Sequence, residues 1–275
     1  MIGMELSVVQ LVEIVVFGVL AGGFGALTGL GGGVLTVPFL TLAMGIDIQQ
    51  AIAASLVAVI ATSAGAASSY VRDGLSNLRV AIFLEVATTL GAVVGASLAG
   101  LVSPRVLFAL FGLMLAYSAL AMLRTRRERP AGGAGGWLDL SGQFEDQGQA
   151  VSYRAQRPML GFGLMMGAGM TSGLLGVGSG ALKVPAMDLA MRLPIKVSTA
   201  TSNLMIGVTA AAGALVFLAR GDLDPLLAAP VAVGVAVGSS ASSRLLPRLP
   251  SRAVRRLFVA VLLVIAGQML WRVVP

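Results

Sequence analysis

Long apolar runs separated by short polar stretches set the pattern of this chain. Most runs reach the length of about 18 residues that an α-helix needs to cross a hydrocarbon core. The pattern predicts ten helical segments, five on each side of a polar stretch at residues 124–157. They are Val8–Leu30, Val34–Met44, Ile48–Tyr70, Leu78–Val102, Val106–Leu123, Pro158–Leu175, Ala181–Met191, Val197–Ala219, Leu223–Leu246 and Val254–Trp271.

The composition agrees with a polytopic, all-α membrane protein. Of the 275 residues, 57% are hydrophobic and 11% are charged, and the mean hydropathy is +0.92. The chain has no Cys and no His, which excludes disulfides, Cys/His metal sites and His-based acid–base catalysis. We therefore expect no metal and no cofactor. The net charge is +7, and the basic residues lie mainly between the apolar runs. The expected partner is therefore the lipid bilayer rather than nucleic acid.

A glycine-rich motif occurs twice, and each copy interrupts an apolar run. Gly29–Pro38 reads GLGGGVLTVP and Gly176–Pro185 reads GVGSGALKVP. Further matches, at offsets of about 143–148 residues, indicate duplication. They align Ser55-Leu56 with Asn203-Leu204 and Gly91-x-x-x-Gly95 with Gly234-x-x-x-Gly238. The predicted organisation is a first membrane repeat at 1–123, a flexible linker at 124–157 and a second membrane repeat at 158–275.

The distribution of basic residues predicts the topology. Cytoplasmic loops carry an excess of Lys and Arg, and the linker contains Arg126, Arg127 and Arg129. With the linker in the cytoplasm and every segment changing sides, most other basic residues also fall on the cytoplasmic side. Five segments per repeat then make the second repeat inverted relative to the first. We expect a multi-pass protein of the cytoplasmic membrane.

The two short segments place the glycine motifs inside the bilayer. Val34–Met44 and Ala181–Met191 each have 11 residues, about 16 Å of helix, which is half of a ~30 Å core. Bare backbone at that depth is tolerated against protein or a water-filled cavity. Inverted repeats would bring both breaks together, with the unpaired amides of two helix starts facing one site. This arrangement predicts an anion-binding site.

The predicted substrate-binding residues lie in the motifs and in the polar stretches after the short segments. Glycines let a ligand approach the backbone, and hydroxyl or amide groups donate to substrate oxygens. The alternative for Ser55 and Asn203, hydrogen bonding between helices, is equally open. The predicted set is Gly31, Gly32, Gly33, Thr36, Ser55, Gly178, Ser179, Gly180, Lys183, Ser202 and Asn203.

Two ionisable residues within the apolar segments have open roles. Lys183 lies in the first turn of the second short segment, where the first copy has Thr36. A lysine at that depth is costly unless it is paired or functional. It is either a counter-charge for an anionic substrate or a structural residue, which is ion-paired with Glu85 or Asp188 or snorkels to the membrane surface. Glu85 is correspondingly a proton relay, an ion-pair partner or a residue facing the cytoplasmic loop.

The motifs resemble those of the sulfite exporter TauE/SafE family. The resemblance rests on the two glycine motifs, on Ala54-Ser55-Leu56 and on the stretch from Ala200 to Gly207, which reads ATSNLMIG. The family usually has a third glycine at the position of Ser179. The resemblance covers nearly the whole chain outside the linker. It implies export of sulfite or organosulfonates.

The leading hypothesis is a secondary transporter of small anions that works by alternating access, rather than an enzyme. The alternative is a channel-like or sensory membrane protein with a bound anion. A weaker alternative is an intramembrane hydrolase using Ser179 and Lys183. The small-residue faces of the helices also suggest a homodimer.

Overall fold

The computed structural model describes residues 7–123, 140–146, 149–244 and 251–272. Within them the chain forms ten α-helices, two of which continue into a short π-helical turn, and one pair of strands. The elements are α1 Val8–Thr28, α2 Gly33–Pro38 with a π turn at Phe39–Ala43, α3 Ile48–Arg72, α4 Leu78–Ala99, α5 Pro104–Leu123, β1 Ser141–Asp146, β2 Gln149–Arg154, α6 Pro158–Leu175, α7 Gly180–Pro185 with a π turn at Ala186–Ala190, α8 Ile195–Arg220, α9 Pro225–Ser243 and α10 Ser251–Trp271. The ten predicted segments are confirmed, with end shifts of a few residues.

Local chemistry explains several helix ends. Gly29 and Gly176 close α1 and α6 in the left-handed conformation, with φ of 74° and 71°, which glycine adopts without a Cβ penalty. Asn77 caps α4 by accepting from the Val80 amide at 3.0 Å. Asp224 caps α9 by accepting from the Leu226 amide at 2.9 Å. The first short helix with its π turn, Gly33–Ala43, is as short as predicted.

The distribution of side chains is that of a membrane protein. By length and composition, six helices in the described part of the chain suit a bilayer crossing. Large aliphatic side chains such as Val16, Ile82 and Val237 are more than half exposed. Buried positions on α3 and α8 carry hydroxyl groups, among them Ser55, Thr62, Thr201 and Ser202. In lipid the apolar groups face outward, and polar groups bond within the bundle.

The two halves repeat the same order of elements at a constant offset. Ile195 opens α8 and Ile48 opens α3, an offset of 147 residues (195 minus 48), and α2/α7 and α4/α9 begin at the same offset. Helices pair across the halves: α1 packs on α9, α4 on α6, α5 on α10 and α3 on α8. Neither half therefore forms its own compact unit.

The glycine faces of α4 and α9 correct the repeat alignment and bear on the expected homodimer. A Cβ on Gly91 would collide with the Met166 carbonyl oxygen, and one on Gly238 with the Val19 carbonyl oxygen. These contacts make Gly91 equivalent to Gly238, not to Gly234, so the sequence alignment is wrong by four residues in this helix. The faces are also used within one chain, against α6 and α1, so they give no basis for a homodimer.

A β-hairpin occupies the end of the region predicted to be a flexible linker. β1 and β2 pair antiparallel, and Leu140, Phe144 and Tyr153 are buried against the helices. The Asn77 side chain donates to the Tyr153 hydroxyl at 3.2 Å. Alternate apolar side chains of the hairpin therefore pack on the bundle. The arginines at 126, 127 and 129 lie outside the described residues.

Candidate functional site

The two glycine breaks lie in direct contact, as predicted. We call residues 29–33 and 176–180 together the glycine crossing. A Cβ added to Gly33 would lie 2.5 Å from the Gly176 carbonyl oxygen, and one on Gly180 would collide with the Gly29 carbonyl oxygen. Side chains are excluded at these positions because backbone packs directly on backbone.

Two aliphatic side chains cover the glycine crossing. Gly31, with φ of 76°, faces Val59 and Ile206, and an added Cβ would lie 3.1 Å from both. Gly178, with φ of 68°, also faces Val59. Val59 and Ile206 occupy equivalent positions of α3 and α8. Sequence reasoning missed them because a buried aliphatic residue in a span carries no distinguishing signal. Both side chains therefore occupy the space beside Gly31, and Val59 also occupies the space beside Gly178.

Reciprocal hydrogen bonds join the halves at the glycine crossing. Ser55 Oγ donates to the Gly176 carbonyl oxygen at 2.6 Å, and Ser202 Oγ donates to the Gly29 carbonyl oxygen at 2.7 Å. Each serine therefore satisfies the carbonyl that ends a helix of the other half. The contacts make Ser55 equivalent to Ser202, which corrects the alignment with Asn203. The offset of the glycine motifs already pointed to this pairing.

The other predicted donor side chains also donate hydrogen bonds to backbone carbonyl oxygens. Thr36 Oγ1 donates to the Gly32 carbonyl oxygen at 2.9 Å, and Ser179 Oγ to the Gly178 carbonyl oxygen at 2.6 Å. The Asn203 amide donates to the carbonyl oxygens of Ala26 and Thr199, while its own Oδ1 is buried without a hydrogen-bond partner. In this conformation Asn203 bonds between helices, whereas Thr36 and Ser179 bond to the backbone of their own segment.

Ser55→Ala and Ser202→Ala should destabilise the protein by similar amounts. Each removes one buried hydrogen bond and leaves a buried carbonyl oxygen short of a donor, which costs about 1–3 kcal/mol. Thermal unfolding of the two single variants and of the double variant measures both effects. A cost confined to one serine would contradict the reciprocal role.

A cluster of charged and hydroxyl side chains lies beside the glycine crossing. Lys183 is fully buried, and its Nζ donates to Thr209 Oγ1 at 2.6 Å and lies 3.4 Å from Glu85 Oε2. Glu85 Oε1 accepts from Thr209 at 2.6 Å and from Thr89 at 3.1 Å. Thr88 Oγ1 lies 3.3 Å from Thr209 Oγ1. We call these five residues the charged cluster. Of the two predicted ion-pair partners of Lys183, the structure selects Glu85.

The charged cluster is not repeated at the equivalent positions of the first half, Thr36 and Thr62. At the equivalent position of the first half, Thr62 accepts from the Gly32 amide at 2.9 Å, whereas Thr209 binds Lys183 and Glu85. Thr36 replaces Lys183 and bonds to its own helix. Sequence reasoning missed Thr209, although its repeat equivalence to Thr62 was a usable signal. The charges also span the halves, since Glu85 comes from the first and Lys183 from the second.

Ser179 and Lys183 do not form the pair that a hydrolase requires. The Ser179 hydroxyl donates to the carbonyl oxygen of the preceding residue. The Lys183 ammonium is directed to Thr209 and Glu85. The serine therefore has no base in contact, and a Ser–Lys nucleophile is not assembled in this conformation.

A groove of about 600 Å³ lies between α4 and α8, further along both helices than the charged cluster. Its walls include Val93, Ser97, Ala212 and Val216. Residues four apart are neighbours on a helix surface, so Thr89, which donates to Glu85, lies next to Val93 at one end of this groove. The Glu85 side chain retains 15% exposure. Of the two ion-pair partners, Glu85 is therefore partly exposed, whereas Lys183 has no exposed surface.

The fold and this buried charged site define a polytopic helical membrane transporter. The chain belongs to the sulfite exporter TauE/SafE family, whose model matches residues 14–269. It is 26% identical to the probable membrane transporter protein YunE of Bacillus subtilis (strain 168), over 94% of this chain and 97% of that protein. It is 28% identical to a probable membrane transporter protein of Xylella fastidiosa (strain 9a5c), over 90% and 89% of the two chains. No solved structure matches the chain.

Proposed function

We propose that this transporter exports small oxyanions of the sulfite and organosulfonate class by alternating access. The observation that carries the proposal is Lys183, a cation with no exposed surface inside a membrane-spanning bundle. An intramembrane charge is costly and is retained mainly for function. It lies in the short helix that starts at the second glycine break, where a bound anion would also meet main-chain amides.

The proposed anion site combines Lys183 and Thr209 with the glycine crossing. Lys183 supplies the charge, and Thr209 supplies a hydroxyl within 2.6 Å of the ammonium. Movement of Val59 and Ile206 would expose the amides of 31–33 and 178–180, with Ser202 and Asn203 nearby. Dense packing limits the site to a small anion, and the family name supplies sulfite as the leading candidate.

The proposed mechanism uses inverted repeats with the linker in the cytoplasm. The constant offset between the halves and their reciprocal serine contacts support two related units that rock against each other. The excess of basic residues at the linker supports its cytoplasmic location. Val59 covers the glycine crossing. A covered site favours a carrier over the alternative, a channel-like or sensory protein.

A thermal-stability screen with small anions tests the substrate class. Ligands that bind the native state stabilise it by about 2.7 kcal/mol at 100 times Kd. We expect sulfite or methanesulfonate to raise the melting temperature of the purified protein, and choline or glucose to leave it unchanged. Stabilisation by the cation or the neutral solute instead of the anions would contradict the proposal.

A further inference from the structure

We propose that Glu85 is a proton-binding site and that one proton travels with each anion. The inference rests on the proposed function, since it assigns the coupling ion of the same site. Its basis is the competition of two negative groups, the Glu85 carboxylate and the substrate, for the one ammonium of Lys183.

The ionised carboxylate of Glu85 already satisfies Lys183. Its Oε2 lies 3.4 Å from the ammonium, and its Oε1 accepts from Thr209 at 2.6 Å. An anion entering this arrangement would place two negative charges against one positive charge in a buried site, where like charges repel strongly. Protonation of Glu85 removes one negative charge. The substrate can then take its place beside Lys183 and Thr209.

Within the described residues, neither group forms a second ion pair. Along α6, which packs on α4, the sequence has no charged side chain. On α8, Lys196 and Arg220 lie 13 and 11 residues from Thr209, about 20 and 16 Å along the helix. Asp188 lies five residues beyond Lys183, in the π turn. On α4 itself, Arg79 lies six residues before Glu85, about 9 Å along the helix. Lys183 and Glu85 are therefore each other's direct charged partners.

Charge balance makes the coupling obligatory. The empty site with ionised Glu85 and Lys183 is neutral, and the loaded site with protonated Glu85, Lys183 and a monoanion is neutral as well. The intermediates, with a proton or an anion alone, carry a net charge that is costly inside a membrane. The site should therefore reorient either empty or with both ligands. Transport is then electroneutral, with one proton and one monoanion moving in the same direction.

A proton also has a route to Glu85. The Glu85 side chain is 15% exposed, whereas Lys183 has no exposed surface. Thr89 donates to Glu85 Oε1 at 3.1 Å and lies one helical turn before Val93, a wall residue of the groove. Protonation thus needs no opening of the glycine crossing, whereas the anion needs Val59 and Ile206 to move.

The pH dependence of anion affinity tests this inference on the full chain. Methanesulfonate is the probe because it stays singly charged across the neutral range. If one proton binds with each anion, the affinity of the parent should fall about tenfold for each pH unit over the range in which that proton is no longer bound. Glu85→Gln, which is permanently neutral, should have an affinity independent of pH. Glu13→Gln changes an exposed carboxylate in α1 and is the matched control, with the pH dependence of the parent.

A transport measurement separates this inference from the proposed function. In proteoliposomes clamped at zero membrane potential, an acidic exterior should drive accumulation of labelled methanesulfonate by the parent and by Glu13→Gln, and not by Glu85→Gln. Exchange of anions without any response to the pH gradient would overturn proton coupling and leave the proposed function standing. Absence of exchange for both sulfite and methanesulfonate in the parent would overturn the proposed function itself.

Discussion

Replacing Lys183 by methionine should abolish anion transport, and adding Glu85→Gln should restore the lost stability without restoring transport. Lys183→Met alone leaves the Glu85 carboxylate without its cation, and breaking such a buried pair costs about 3–5 kcal/mol. The second substitution removes the stranded charge. Both replacements keep nearly the parent side-chain volume, so packing changes little.

The double variant distinguishes the two roles that the sequence left open for Lys183. Melting temperature and sulfite exchange are measured on the parent, the two single variants and the double variant, which form a double-mutant cycle. If Lys183 binds the substrate, the double variant regains the melting temperature of the parent but does not regain transport. Recovery of both would show that the pair is structural and would contradict the counter-charge role.

Gly180→Ala should be among the most destabilising single-methyl additions in the chain. The new Cβ would meet the Gly29 carbonyl oxygen and lie 2.5 Å from Leu30 Cα. Both are backbone atoms, so the two breaks must separate. Overpacking of this kind costs about 1–3 kcal/mol, and here it also displaces the hydrogen bond that Ser202 makes to Gly29. Thermal unfolding measures the stability, and sulfite exchange should fall with it.

Gly167→Ala is the matched control for that substitution. Gly167 lies within α6, and an added Cβ would meet no atom within 4 Å. Alanine is favoured over glycine in a helix by about 1 kcal/mol, so this variant should be as stable as the parent or more stable. Equal losses in the two variants would contradict direct backbone contact at the glycine crossing.

The helices and the contact between the glycine breaks could be predicted from sequence. Apolar runs fixed the starts of α3 at Ile48 and α4 at Leu78, and the short run after Gly33 fixed the half-length helix. The sequence could not decide which residues of α9 are equivalent to the glycines of α4. Offsets of 143 and 147 residues differ by four, about one helical turn, so both place a glycine on nearly the same face.

The charged cluster depended on contacts that one sequence does not reveal. Glu85 and Lys183 lie 98 residues apart, and periodicity does not say which buried carboxylate meets the lysine. Thr209 was one of several hydroxyl residues on α8, and a hydroxyl in a membrane helix usually bonds to its own backbone. The hairpin at 141–154 was hidden because its short polar strands resemble a linker in composition.

Counterflow of labelled sulfite in proteoliposomes tests the central claim most directly. Vesicles containing the parent protein are loaded with unlabelled sulfite and diluted into a trace of labelled sulfite. We predict transient accumulation of label above equilibrium, because a carrier exchanges external for internal anion at a site that opens to one side at a time. The Lys183→Met/Glu85→Gln double variant should accumulate none. Equilibration of label without overshoot, or full counterflow by the double variant, would contradict an alternating-access anion carrier built on Lys183.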